Sequence, residues 1–254
     1  FRRVLFRSVK YMAMDPRGSV FGQQRGQVGA AVDAQIDEGL RAYMLKVYNY
    51  MGSALLLSGI VAYAVANTPA LMQAIYGTPL QWVIMLAPLG LVMFLGVRIH
   101  KMSSGAAQAT FWIFAALMGA SLSYILKVYT GASVVRVFMI TAVTFGSMSL
   151  FGYTTKKDIS GWGSFLMMGL IGIIAASIVN LFMQSDMMQW VISVIGVLVF
   201  TGLTAYDTQK IKNNYLEADG TATMNKKAIM GALTLYLDFI NLFLMLLHLF
   251  GNRE

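Results

Sequence analysis

The chain has 254 residues, 57% of them hydrophobic and only 12% charged, with a mean hydropathy of +0.65; an average soluble domain carries about 25% charged residues, so this is the composition of a membrane protein. It has no cysteine, which excludes disulfides, thiol redox chemistry and cysteine-ligated zinc, and its two histidines, His100 and His248, are too far apart in sequence to suggest a metal site. The formal charge of +8 is spread between apolar runs and not gathered into an aromatic-interleaved patch, which points to an anionic lipid surface rather than nucleic acid.

Residues 1–45 form a basic N-terminal arm, rich in Gly, Gln and Arg at first. From about Ala30, Val32, Ile36, Leu40, Tyr43 and Val47 recur every three or four residues, the pattern of an amphipathic helix at the membrane interface. The membrane domain, 46–254, follows. A span needs about 20 apolar residues to cross a hydrocarbon core roughly 30 Å thick. Seven segments qualify: 47–66, 80–98, 106–126, 132–153, 163–184, 187–209 and 229–250. The fold class is therefore all-α, a polytopic bundle of seven transmembrane helices. Gly119 with Ser123, and Gly172 with Ala176, have the spacing that lets membrane helices approach closely.

Sixteen of the nineteen Lys and Arg residues fall before the first span or in the second-to-third, fourth-to-fifth and sixth-to-seventh connections. Positively charged loops stay cytoplasmic, so the N terminus is expected in the cytoplasm and the C terminus outside.

Of eleven acids only Asp207 and Asp238 lie within apolar runs. A central Asp costs about 2.5 to 3.5 kcal/mol on insertion, which the surrounding Leu, Ile and Phe of the seventh span outweigh at about 0.3 to 0.6 kcal/mol each. Thr234, Asp238 and Asn241 share one face of the last helix, and Thr204 lies one turn before Asp207 on the sixth. These two polar stripes are placed to face each other. Depth opposes the pairing: Asp238 lies about 16 Å beyond Lys227, while Asp207 lies about 5 Å before Lys210. The two acids meet only if the loop-side end of the seventh helix stands outside the hydrocarbon, or if Lys210 and Lys212 snorkel from deeper positions. If they meet, they share a proton and act as a proton-sensitive latch. Deprotonated, the pair would repel or attract a hard cation such as calcium, held transiently because two carboxylates are too few for a tight cage. Arg98, at the end of the second span, is the candidate cation to lock that state, with a positive-inside anchor as its other reading.

At FTGLTAYDTQKIK around Asp207 and LYLDFINLFLMLL around Asp238, the sequence resembles the transmembrane Bax inhibitor motif family in its bacterial branch, from about Tyr43 onward. The resemblance implies a seven-helix bundle with the last helix at its centre and a pH-sensitive calcium leak, with no enzymatic activity and no cofactor. It maps the family's aspartate pair to Asp207 and Asp238 and a latching arginine to Arg98. The second-helix glutamate of some members has no counterpart in MLAPLGLVMFLGV, and the charged C-terminal tail of eukaryotic members is not expected here. Similar bacterial proteins also suggest a second reading, a regulator that binds a membrane-bound protease through the arm or lipid-facing helices. An intramembrane aspartyl protease is disfavoured, because Tyr206-Asp207 is not matched by a GxGD motif at Asp238.

Overall fold

The structure, a computed structural model, describes the backbone of residues 16–253 and side chains from Glu38 to Arg253. Among the described residues nine α-helices follow in order: α1 (Pro16–Ala66), α2 (Pro69–Tyr76), α3 (Leu80–Arg98), α4 (Ser104–Leu122), α5 (Ile125–Val128), α6 (Gly131–Thr154), α7 (Trp162–Met183), α8 (Asp186–Asn213) and α9 (Thr221–Phe250). No strand occurs among the described residues. The chain divides after Ala42 into two units, the described part of the first being the lead-in of α1. The side chains of the arm before Glu38, Val32 and Ile36 among them, lie outside the described residues.

Seven helices are long and apolar enough to cross a membrane: Glu38–Ala66, Leu80–Lys101, Ser104–Val128, Gly131–Thr154, Trp162–Met183, Asp186–Asn213 and Thr221–Phe250. Each coincides with a segment expected from hydropathy. The largest differences are at the first and last spans, which begin about nine and eight residues earlier than their apolar runs. Polar residues at those ends lower the local hydropathy without ending the helix. Val47 packs on Gly231 and Tyr43 meets the ring of Tyr215, so the last two members of the apolar stripe are buried in the bundle.

Side-chain caps fix several helix starts. Ser103, Thr130 and Ser185 each accept a hydrogen bond from the backbone N–H three residues on, satisfying one of the donors that a helix N-terminus leaves free. At the far end, Gln184 adopts the left-handed conformation that stops α7. There Asn180 accepts from the Ser185 N–H and its amide reaches Gln189, closing the α7–α8 turn.

The core is built around α9. Two-thirds (67%) of its most apolar window is buried, against 11% for α3 and 17% for α7. Tyr236 packs edge-on against Phe114 of α4, and Phe239 against Phe138 and Phe145 of α6. Edge-to-face pairs add roughly 0.5 to 1.5 kcal/mol beyond area burial. Since hydrocarbon tails are as apolar as leucine, close fit and hydrogen bonding hold the helices together more than exclusion of water does. A Cβ on Gly119 would stand 2.4 Å from the Ser58 carbonyl oxygen, and one on Gly152 2.3 Å from that of Ala205. Gly119 thus lets α4 lie directly on α1. Gly172, expected from the same spacing to mark a close approach, has nothing within 4 Å of its Cβ position, because that face of α7 is turned away from the other helices.

Candidate functional site

Helices α8 and α9 pack along each other and bring Asp207 and Asp238 side by side. The depth conflict is resolved by unequal helix ends. Asp207 lies six residues before the end of α8, whereas Asp238 lies seventeen after the start of α9, or about 9 Å against about 25 Å along the axes. The connection 214–220 climbs past the end of α8 so that α9 starts well beyond it. Lys227 near that start holds the connection by donating to the Asn214 carbonyl at 2.9 Å and to Asp219 at 2.5 Å.

Asp207 is half-buried and Asp238 only 5% exposed. One oxygen of Asp238, Oδ2, is the sole buried side-chain N or O atom without a hydrogen-bond partner among the described residues. Ionised carboxylates only accept hydrogen bonds, so a bond between these two needs a proton on one of them. The pair can therefore hold a proton inside the bundle.

A half-open cavity of about 490 Å³ leads from the loop side to the pair. Asp207 and Thr234 line its inner part, Lys210, Lys226 and Lys227 its outer part, and Ile99 and Ile211 its apolar walls. Asp238 is not among the lining residues, so the pair is entered from the Asp207 side.

The other candidate residues are placed as follows. Thr204 is fully buried and donates to the Phe200 carbonyl, and Thr234 donates to that of Met230, so both satisfy themselves on their own helices. Asn241 is half-buried on α9, one turn beyond Asp238. Arg98 is exposed at the end of α3 and does not line the cavity. The charge next to Asp207 is Lys210, three residues on along the same helix. His248 is exposed and meets Tyr129 edge-on, and Arg136 is exposed near the start of α6. No group of three or more His, Cys, Asp or Glu side chains comes together among the described residues, so the pair offers a cation two carboxylates.

Sequence reading did not find two buried hydroxyl clusters. Ser58 donates to the Ala115 carbonyl at 2.7 Å and bonds the Tyr236 hydroxyl at 2.7 Å, joining α1, α4 and α9. Ser149 bonds both Tyr48 (2.6 Å) and Thr208 (2.9 Å), joining α1, α6 and α8. Gln209, likewise unforeseen, donates to the Lys157 carbonyl and accepts from the Ile159 N–H, tying the α6–α7 turn to α8. Hydroxyls inside apolar runs were the available signal, but partners separated by 57 to 178 residues are not legible from spacing.

The comparisons with known proteins agree with this architecture. Residues 40–254 match the family model described as Inhibitor of apoptosis-promoting Bax1. Inner membrane protein YbhL of Escherichia coli is 49% identical over 219 residues, covering 85% of this chain and 94% of that protein. A Rickettsia prowazekii protein is 49% identical over 218 residues, 86% of this chain and 92% of its own length. A Caulobacter vibrioides protein is 45% identical over 244 residues, 92% and 98%. With the match spanning every helix that builds the bundle, the chain belongs to the Bax inhibitor-1 family.

Proposed function

We propose that the protein is a cation leak, for calcium, gated by the protonation of Asp207 and Asp238. One observation carries the reading: two intramembrane acids lie side by side at the inner end of a loop-side cavity, with Asp238 buried and its Oδ2 without a donor. An acid inside a bundle that served packing alone would have its acceptors filled. With a shared proton the pair holds α8 against α9. As pH rises and that proton leaves, two like charges face each other in a poorly hydrated site, and α8 and α9 are pushed apart. The same charge attracts a hard cation, and two carboxylates bind calcium weakly enough to release it.

The chain is read as an inner-membrane protein, as its relative YbhL is named. Its lysine-rich connections are placed in the cytoplasm by the positive-inside rule, with the C terminus on the other face. Calcium uptake by proteoliposomes tests the gate. Wild type should admit calcium faster as pH rises, and Asp207→Asn and Asp238→Asn should each flatten that response. A pH response of normal amplitude in both variants would refute the gate. Capture of a membrane-bound protease by the basic arm is a separate reading, tested by deleting residues 1–37 and measuring co-purification. If capture persists, the arm is not the contact.

A further inference from the structure

The outer half of the cavity has a chemistry that the carboxyl pair does not use. Its walls come from α1 (Tyr43), α3, α8 and α9, together with Ile99 and His100 of the turn after α3. Three lysines, Lys210, Lys226 and Lys227, converge there. Only Lys227 is neutralised: its bond to Asp219 is the one salt bridge among the described residues. Among the described residues Lys226 reaches no acid and makes only a long contact, 3.4 Å, to the His100 carbonyl. Lys210 stands 5.8 Å from the centre of the Tyr206 ring, with Asp207 the acid nearest along its own helix. Tyr43, Thr223 and Asn214 add neutral polar residues to the lining.

A half-enclosed cleft with unbalanced ammonium groups and neutral polar residues selects a compact oxyanion with several acceptor oxygens. Its position adds a second criterion. The cleft is at the lysine-rich end of the bundle, and α3, whose Gly96 lines it, is the least buried span and exposes Met93 and Val97 within a turn of Gly96 on the same side of the helix. A headgroup could sit among the lysines while its acyl chains lie along that face. Basic pockets between transmembrane helices hold anionic headgroups in this way.

We infer that this cleft binds a phosphate group, presented by an anionic phospholipid whose chains lie against α3. The occupant neutralises Lys210 and Lys226 at the mouth of the route to Asp207. The site is independent of whether cations pass, because its evidence is the lining and its test reads binding.

The test uses the full chain, purified with its lipids and delipidated stepwise in detergent. Native mass spectrometry counts retained phosphatidylglycerol against phosphatidylcholine, and thermal stability is read with each lipid and with inorganic phosphate alone. Wild type should retain phosphatidylglycerol selectively. Lys210→Gln with Lys226→Gln should weaken retention roughly 30-fold, at about fivefold per lysine. Lys127→Gln with Arg136→Gln, at the opposite end of the bundle, should leave retention unchanged. Stabilisation of wild type but not of the Lys210/Lys226 variant by inorganic phosphate alone, with no lipid preference, would keep the phosphate site and make its source soluble. Equal retention of both lipids with no stabilisation by inorganic phosphate, or equal anion response in wild type and the Lys210/Lys226 variant, overturns it. Because neither lysine is in a salt bridge among the described residues, their variants should fold, and a normal melting profile without lipid verifies that.

Discussion

Two polar clusters are buried against α9 less than one turn apart in sequence, and they are built on opposite principles. Around Tyr236 every group is matched: Ser58 donates to the Ala115 carbonyl and bonds the tyrosine hydroxyl. Around Asp238 an oxygen is left without a partner, and the partner acid opens onto a cavity. In a bilayer an unsatisfied polar group has no water to turn to, so a cluster that served packing alone would be completed. The Tyr236 cluster is a fastener between α1, α4 and α9; the Asp238 cluster is a place where the bundle holds a titratable charge.

The comparison is most sharply tested where the fastener is tightest. Gly119→Val places carbons within 2.4 Å of the Ser58 backbone, which a flexible side chain cannot relieve. Stability should fall by about 3 kcal/mol or more, with loss of folded protein on purification. Gly172→Val, at the same spacing on α7 with nothing near its Cβ position, should change stability by no more than about 0.5 kcal/mol. Equal losses in the two variants would mean that helix spacing rather than contact sets the cost. A smaller effect is expected from Ser58→Ala, which leaves the buried Tyr236 hydroxyl and the Ala115 carbonyl without their partner. Denaturation should register about 1 to 3 kcal/mol, with Tyr236→Phe costing less, since Ser58 still reaches Ala115. Calcium flux per folded molecule should be unchanged in both, because neither group lines the cavity.

The sequence carried the membrane spans well because a span is a one-dimensional property: about 20 apolar residues suffice. It carried their ends less well. Thr221 to Ala228 reads as a polar loop, yet is helical because Lys227 anchors the connection and Ala228 is buried. Asp207 and Asp238 stood out because an acid in an apolar run is costly wherever it points. Their meeting was open, since it depends on how far α9 starts beyond α8, a distance set by the course of 214–220 and not by composition. The lysines of the cleft looked like topology signals, which any loop-side lysine resembles. The fastener hydroxyls were invisible for a related reason: serine and threonine satisfy themselves within a helix cheaply, as Thr204 and Thr234 do, so nothing in the sequence marks those that instead bridge helices.

The smallest expected change in stability is the most discriminating one. Asp238→Asn keeps the shape of the side chain and supplies an amide that can donate to Asp207 without a shared proton. At mildly acidic pH, where the wild-type pair is bridged by its proton, wild type and variant should differ by less than about 1 kcal/mol. At mildly alkaline pH the signs separate. Wild type loses the bridging proton and gains two facing charges, so its melting temperature should fall, whereas the variant carries one charge and still donates, so it should fall less. Ser58→Ala, altering only neutral hydroxyl bonds, should lower stability by the same amount at both pH values. Parallel pH curves for wild type and Asp238→Asn would show that the acid pair is held by neutral packing after all, and the distinction between the two clusters would collapse.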